Sequence, residues 1–290
     1  MQESVLAKLG KNSISATDIA NQFWCEKQVE LNYLYGKKYT EQMQKGKQLH
    51  EELKAETYIP LNIEPVTYAD LLYKIGYENY MALKVLGEKK VCRELTIYGS
   101  LGGFKVVGQI DELRLDENGV RIIELKTVDF RQGFSTNQSK LKPNIVQVML
   151  YKKLLDDLRL RRYTLYNFSK AYGLQTKKLS DSFLRALHEL GIKEEYTNIS
   201  EIYRLMFDEF YAMPKVSDKL EIRYVDRLTG KQISNIIINY DEERINRDLS
   251  FALKYWQGER EAMPVSKEER WKCRLCKFYG KECKVWWPPG

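Results

Sequence analysis

Hydrophobic and polar positions alternate with two different periods along the chain, and the change of period marks the predicted elements. Apolar residues recur at helical spacing in several segments, which predicts helices there. These segments are Ser15 to Gly36, 41–56, 67–87, 144–158 and most of 180–260. Residues 91–128 are strand-like instead, and a further strand pair is predicted around 219–239. The strand-rich middle of the chain is the most informative part.

This middle part contains a predicted β-hairpin. Two runs rich in Val, Ile and Leu, 104–115 and 120–128, flank the dipeptide Asn118-Gly119. Asn-Gly between two such runs is the strongest short-range signal for a hairpin with a two-residue turn. We therefore expect two antiparallel strands joined at this dipeptide.

The register of the hairpin decides which side chains share a face of the sheet. The two-residue turn would place Asp111 opposite Lys126 and Leu113 opposite Glu124. Asp111, Glu124 and Lys126 are then expected on one face, because side chains alternate along a strand. A three-residue loop would change the parity and put Asp111 on the other face.

Two carboxylates and a lysine on one face suit hydrolysis of a phosphodiester bond. Asp111 and Glu124 would repel each other unless a cation lay between them, and Mg²⁺ and Mn²⁺ take carboxylate oxygens. Lys126 would hold an ammonium group that could orient or deprotonate a water, or neutralise phosphate charge in the transition state. A surface strand with an ordinary Glu–Lys pair is the alternative interpretation.

Two helical positions add to this candidate site. Gln147 and Tyr151 are four residues apart, so they lie on one face of the predicted helix, where they could reach the sheet or simply be part of the core. His50 follows Gly46 by four positions on another predicted helix, and its imidazole could complete a metal shell. A structural histidine is the alternative there.

Composition and charge restrict the class of protein. The 290 residues carry a net charge of +7, with 43% hydrophobic and 30% charged residues, which argues against disorder. No apolar run is long enough to span a membrane, and the first residues lack a secretory signal. We therefore expect a soluble intracellular protein, cytoplasmic or nuclear, without a membrane partner. The window 130–180 contains eleven Lys or Arg and two acids, which indicates a polyanionic partner, nucleic acid first.

The ordered motifs resemble a known family. Gly46-x-x-x-His50, Gly108-x-x-Asp111, Glu124-x-Lys126 and Gln147-x-x-x-Tyr151 are similar to the RecB-type branch of the PD-(D/E)XK nucleases. The resemblance implies an α/β restriction-endonuclease-like core with a central mixed sheet, helical insertions and a C-terminal iron–sulfur tail. It also implies that His50, Asp111, Glu124 and the Leu125 carbonyl bind the metal, that Lys126 is the catalytic lysine, and that Gln147 and Tyr151 contact the active site or DNA.

Four of the five cysteines form a second constellation. Cys273, Cys276 and Cys283 are close together near the C-terminus, and Cys25 lies far upstream. On spacing alone this set favours an iron–sulfur cluster over zinc, although zinc stays open. Resemblance to the iron–sulfur RecB-type nucleases, which place one cysteine before the core and three after it, implies a [4Fe–4S] cluster. The fifth, Cys92, is interpreted as a buried thiol.

Within this group, the sequence around the motifs is similar to that of the exonuclease V family of single-strand DNA exonucleases. The resemblance implies a metal-dependent exonuclease that acts in DNA repair or maintenance. It also implies a helical arch through which single strands are threaded. We expect one nuclease domain, 1–290. Its predicted segments are an N-terminal helix with the first cysteine (1–40), a helical region with His50 and a possible arch (41–90), the catalytic core (91–158), a basic helical insertion (159–260) and the cluster segment (261–290).

The basic window supplies candidate DNA-binding residues. Cations can follow a DNA backbone while aromatic rings stack bases without reading sequence. The candidates are Arg131, Lys152, Arg159, Arg161, Arg162, Tyr163, Tyr166 and Lys170. Solvated cations beside core aromatics are the alternative. Single-stranded DNA is the expected partner of a monomer, with a single-strand-binding protein or helicase as possible helpers. A CRISPR-associated spacer-processing nuclease, a non-catalytic single-strand-binding module and a zinc-stapled RNA-processing enzyme are the other hypotheses.

Overall fold

The computed structural model describes residues 4–37, 41–57, 60–129 and 137–285, in which helices surround one mixed sheet. The helices are α1 (Val5–Lys8), α2 (Ala16–Tyr35), α3 (Glu41–Thr57), α4 (Tyr68–Lys89), α5 (Gln138–Arg159), α6 (Leu165–Tyr172), α7 (Asp181–Glu189), α8 (Ile199–Ala212) and α9 (Glu242–Gln257). The strands are β1 (Ser13–Ser15), β2 (Val91–Leu101), β3 (Phe104–Asp116), β4 (Gly119–Val128), β5 (Lys219–Asp226) and β6 (Gln232–Asn239). The predicted helices and the strand pair at 219–239 are confirmed, whereas β1 was not predicted and α5 begins six residues earlier than expected.

Strand β3 lies at the centre of the sheet. Along one edge it pairs antiparallel with β2 over nearly its whole length. Its other edge is shared, because β1 pairs parallel with residues 105–107 and β4 pairs antiparallel with residues 112–116. Between these two partners, residues 108–111 of β3 face a split in the sheet. β5 then continues the sheet parallel to β4, and β6 closes it antiparallel to β5.

The predicted register of the hairpin is wrong by two residues. Asp116 pairs with Gly119, so the turn residues are Glu117 and Asn118 rather than Asn118 and Gly119. Gly119 already belongs to β4, where its φ is +103° and a Cβ would lie 2.1 Å from the Lys215 carbonyl oxygen. Only glycine fits that close approach, which fixes the start of the strand. A shift of two residues preserves parity, and the predicted faces are therefore retained.

Different helices cover the two faces of the sheet. Ile122 belongs to the main core, to which α5 contributes many of its apolar side chains. Ile123 and Leu125 point the other way, into a small cluster that Leu49 and Leu53 of α3 cover. The alternation along β4 thus places its even-numbered residues under α5 and its odd-numbered residues under α3.

The sheet extends beyond the segment predicted as the catalytic core. β5 and β6 lie within 159–260, yet β5 pairs with β4 along the residues that carry the site, including Glu124 with Ile222. A boundary at residue 158 therefore does not separate the core from an insertion. The helices α6, α7 and α8 lie in the same range, and α8 packs against α4.

Candidate active site

The split in the sheet positions the first carboxylate. The β3–β4 ladder ends at the pair Glu112 and Ile123, and the next residue of β3 is Asp111. Here the Leu125 backbone N–H donates to Asp111 Oδ2 at 2.7 Å instead of to a backbone carbonyl. The side chain of Asp111 thus occupies the gap where the strands separate, and its second oxygen, Oδ1, remains directed to the cleft.

Glu124 and Lys126 of β4 lie beside it and are connected to α5. Lys126 Nζ donates to Glu124 Oε1 at 2.6 Å and to Gln147 Oε1 at 3.2 Å. Gln147 Nε2 donates in turn to the Tyr151 hydroxyl at 2.8 Å. The structure therefore brings all five residues predicted as catalytic into one site, because α5 crosses the face that carries Asp111, Glu124 and Lys126.

Two glycines allow the helices to come close enough. A Cβ on Gly46 would lie 2.9 Å from Thr127 Oγ1, so the absence of a side chain lets α3 approach β4. A Cβ on Gly108 would lie 2.9 Å from Tyr151 Cε1, so that glycine makes room for the tyrosine ring. The glycines that precede His50 and Asp111 in their motifs thus have a packing explanation.

His50 reaches the site from α3 and meets a residue that the sequence did not indicate. Its Nδ1 is 2.9 Å from Glu94 Oε1 and 3.6 Å from Asp111 Oδ1. Glu94 belongs to β2 but has a φ of +55°, a left-handed conformation that is uncommon for a residue other than glycine. Nothing local in the sequence marks this conformation, so Glu94 could not have been found from the pattern alone.

The electrostatics of the site favour a bound cation. Burial and the neighbouring Glu124 raise the pKa of Asp111 well above its usual range. Burial alone would lower the pKa of His50, but the hydrogen bond with Glu94 and the charge of Asp111 raise it to about 8. Burial would likewise lower the pKa of Lys126, yet Glu124 and Asp111 raise it above its ordinary value. Neighbouring negative charge contributes to each of these three shifts.

The donor set fits a hard divalent cation. Glu124 is 3% exposed, and its Oε2 is buried without a hydrogen-bond partner among the described residues. His50, Glu94 and Asp111 each offer one ligand atom, and these atoms lie within 4.8 Å of one another. Carboxylate oxygens with one imidazole are suitable ligands for Mg²⁺ or Mn²⁺. An unpaired buried carboxylate oxygen is costly unless such a partner binds it.

These groups open into a cleft of about 460 Å³. Its walls come from α2, α3, β2, β3, β4 and α5, and most of the residues that line it have polar or charged side chains. The lining residues include Thr17, Glu51, Lys54 and Gln109 besides those already described. The cleft is open to solvent, so an extended substrate can reach the carboxylates.

The four clustered cysteines line a second, apolar cavity. The helical backbone of α2 is interrupted at Cys25, which is directed toward the C-terminal tail, where Cys273, Cys276 and Cys283 line the same cavity. None of the four forms a disulfide. Burial raises the pKa of the Cys25 thiol to about 11, to which Cys276 and Cys283 contribute. The distant cysteine and the three tail cysteines are thus brought together, as a shared cluster requires.

Two further side chains complete this cavity. Gln28 Nε2 lies 3.6 Å from Cys276 Sγ. Lys272 is 2% exposed, and its Nζ donates to the Trp24 carbonyl at 3.2 Å and to Glu269 Oε2 at 2.7 Å. A buried ammonium and an amide beside four thiols suit an anionic group held by thiolates. Cys92 lies elsewhere and is buried, as predicted, and burial raises its pKa to about 12.

Several predicted DNA-binding residues have partners within the protein. Lys152 is 3% exposed and pairs with Asp156 and, at 3.4 Å, with Asp218. Tyr163 is also buried. Arg159 pairs with Asp156. Lys152 and Tyr163 therefore belong to the folded interior rather than to a DNA-facing surface, whereas Arg159 is engaged by an acidic partner.

The other candidates are on the surface or outside the described residues. Arg161, Arg162, Tyr166 and Lys170 are exposed. Arg162 Nε lies 2.6 Å from Asp157 Oδ1, and the Arg161 guanidinium lies 4.4 Å from the centre of the Tyr211 ring. The remaining candidate, Arg131, lies in a segment that the structure does not describe.

The fold and the cleft together define an α/β protein with an acidic site at a split in a mixed sheet. The sequence model of one family, described as exonuclease V, a 5′ deoxyribonuclease, matches residues 5–122, 114–194 and 189–287. These matches span almost the whole chain. The chain belongs to the exonuclease V family, and membership implies a deoxyribonuclease.

The chain is also similar to individual proteins of known sequence or structure. Exonuclease V of zebrafish (Danio rerio) is 26% identical over 301 residues, which cover 97% of this chain and 72% of that protein. The solved crystal structure of SSO0001 covers 92% of this chain and 83% of its own, with 15% identity and a TM-score of 0.38. A likeness at that TM-score carries no argument about the fold. Separately, no helix in the described ranges has the length and apolar character to cross a membrane.

Proposed function

We propose that the chain is a metal-dependent exonuclease that degrades single-stranded DNA from the 5′ end. The observation that carries the proposal is the set of the buried Asp111 and Glu124 with the half-buried Lys126, in which Glu124 Oε2 lacks a partner among the described residues. The family description, a 5′ deoxyribonuclease, supports the polarity. The order of the motifs and the split sheet support a PD-(D/E)XK-type core.

His50, Asp111 and Glu124 would hold the divalent cation, with the Leu125 carbonyl as a further ligand. When bound, such a cation supplies Lewis-acid stabilisation of the charge that develops on the phosphate. The hydrogen bond from the Leu125 N–H keeps one oxygen of Asp111 occupied and leaves Oδ1 available. Mg²⁺ and Mn²⁺ both fit this donor set.

Lys126 would act on the reacting phosphate from the protein side. Its ammonium is held by Glu124 and Gln147 and remains protonated, because Glu124 and Asp111 raise its pKa. It therefore places a fixed positive charge beside the carboxylates, where negative charge develops in the transition state. Gln147, itself held by Tyr151, fixes the direction of the Lys126 side chain.

We also propose a [4Fe–4S] cluster bound by Cys25, Cys273, Cys276 and Cys283. Zinc ribbons usually supply two close pairs of cysteines, whereas the proposed ligands comprise one close pair, Cys273 and Cys276, and two single cysteines. That spacing suits an iron–sulfur cluster, which would connect α2 to the C-terminal tail.

Single strands are the proposed substrate, and the exposed cations Arg161, Arg162 and Lys170 with Tyr166 are the proposed contact surface. The proposed metal and cluster ligands all come from one chain, so we propose that a monomer is active, with a helicase or single-strand-binding protein as an accessory at most. Reduced cluster cysteines suit an intracellular compartment, and a role in DNA repair or maintenance follows from the proposed activity.

End-labelled substrates test this proposal. Protein purified without oxygen is incubated with single-stranded DNA, double-stranded DNA and RNA, labelled at the 5′ or 3′ end, with Mg²⁺, Mn²⁺ or EDTA. We expect Mg²⁺-dependent digestion of single-stranded DNA, with small products that carry the 5′ label from the first time points. Binding without cleavage under every metal would instead identify a single-strand-binding module.

A further inference from the structure

Strand β2 contains an irregularity beside the proposed metal site. Arg93 pairs with Glu112 and Leu95 pairs with Ile110, so Glu94 lies directly across from Asp111 of β3. Its φ of +55° is a left-handed conformation, which interrupts the regular strand at this one position without shifting the register. Strained backbone is concentrated at functional sites. Here the carboxylate of Glu94 lines the same cleft as Asp111.

The donors around Glu94 are arranged at distances that suit one cation. Glu94 Oε1 is 2.9 Å from His50 Nδ1, which is 3.6 Å from Asp111 Oδ1. Neighbouring donors around Mg²⁺ lie about 3.0 Å apart, given metal–oxygen distances of about 2.1 Å. The three donors therefore need only small movements to share an ion. The buried, unpartnered Glu124 Oε2 independently indicates a missing positive partner at this site.

We propose that Glu94 is a direct ligand of the catalytic cation, together with His50 and Asp111. This inference rests on the proposed metal-dependent function. It adds a third carboxylate to those of Asp111 and Glu124, which makes the site more negative and strengthens its preference for a hard divalent cation. Residues directly opposite each other on antiparallel strands share a face of the sheet, so the register places Glu94 beside Asp111.

Metal binding without DNA tests the inference directly. The affinity for Mn²⁺ is measured by electron paramagnetic resonance on the full chain carrying its cluster, for the wild type, Glu94→Gln and Asp111→Asn. We expect Glu94→Gln to weaken binding at least about 10-fold. Glu51→Gln is the matched control, because Glu51 lines the same cleft and loses the same charge. An equal loss in both Glu variants would show a general charge effect and overturn the inference.

A double variant separates a ligand from a residue that only orients His50. If Glu94 binds the cation, Glu94→Gln weakens binding further in a His50→Ala background. If Glu94 acts only through its hydrogen bond with His50, the double variant binds as His50→Ala does, and the inference fails. Circular dichroism establishes that each variant is folded. If the wild type does not bind Mn²⁺, or if every variant binds it as well as the wild type does, the proposed metal-dependent function is refuted.

Discussion

The Leu125 amide donates to the Asp111 carboxylate at 2.7 Å across the point where β3 and β4 separate. This bond replaces the ladder hydrogen bond that would otherwise continue the hairpin. It holds Asp111 in a fixed rotamer in the gap and keeps the adjacent Glu124 and Lys126 of β4 at contact distance. The split in the sheet therefore makes room for Asp111 beside Glu124 and Lys126, which a regular hairpin would not provide.

The close approach of α3 to β4 predicts the effect of Gly46→Ala. The new methyl group would meet Thr127 Oγ1 at 2.9 Å, so α3 must shift and His50 must move from Asp111. We expect roughly 10-fold slower cleavage without a lower melting temperature, because alanine favours the helix by about 1 kcal/mol over glycine. Thr127→Ala removes the clashing oxygen, and it should restore activity when combined with Gly46→Ala. Unchanged activity in Gly46→Ala would show that the position of α3 does not matter.

The role proposed for Lys126 predicts a separation of binding from catalysis. Lys126→Met removes the ammonium beside Glu124 and should slow cleavage about 100- to 1,000-fold. Mn²⁺ affinity should not weaken, since the variant removes a competing positive charge from the carboxylates. Lys153→Met, on α5 but outside the cleft, serves as the control. Single-turnover rates and metal titrations measure both effects, and a parallel loss of Mn²⁺ binding would assign Lys126 to the structure of the site.

The shared cavity of the four cysteines predicts a selective effect of their substitution. Cys276→Ser should abolish the visible absorbance of the cluster and reduce the iron and sulfide content per chain. The melting temperature should fall as well, because the link between α2 and the tail is lost. Cys92→Ser is the control, since Cys92 is buried away from the cavity. Stoichiometric zinc instead of iron in the wild type would contradict the proposed cluster.

An ion pair next to Cys25 in the sequence predicts a stability effect that is independent of metal. Glu26 of α2 is 3% exposed and receives hydrogen bonds from Arg260 and from the Met263 backbone N–H, the latter at 2.8 Å. Glu26→Gln leaves the Arg260 charge without its partner and should lower the free energy of unfolding by about 3 kcal/mol. Glu261→Gln, at an exposed position, should change it little. Urea denaturation of both variants measures the difference, and equal stabilities would refute a structural role of the pair.

The alternation of side chains between the two faces of a strand explains how much of the site could be predicted from the sequence. The hairpin turn was placed one residue too late, but a register shift of two leaves Asp111, Glu124 and Lys126 on the same face. The order of the motifs was sufficient to bring in His50 from a separate helix. The exact register depended instead on the contact of Gly119 with the Lys215 carbonyl, which lies 96 residues away in the chain.

Tertiary contacts account for the rest. Lys152 appeared suited to DNA in a basic window, but Asp218 of a distant segment lies 3.4 Å from its ammonium, which is buried. Glu94 escaped notice because glutamate carries no local signal for a left-handed backbone, and only the pairing of β2 with β3 places it opposite Asp111. Strand β1 is three residues long, too short for an alternating pattern to indicate it.

The central claim is that Asp111 organises a metal-dependent nuclease site. Its most direct test is the rate of Mg²⁺-dependent cleavage of 5′-labelled single-stranded DNA by the wild type, Asp111→Asn and Asp116→Asn. Asp116 lies on the same strand and undergoes the same chemical change at the turn, far from the cleft residues. We predict that Asp111→Asn loses at least about 1,000-fold in rate, while Asp116→Asn stays within about 3-fold of the wild type. Cleavage by Asp111→Asn at the wild-type rate would contradict the account.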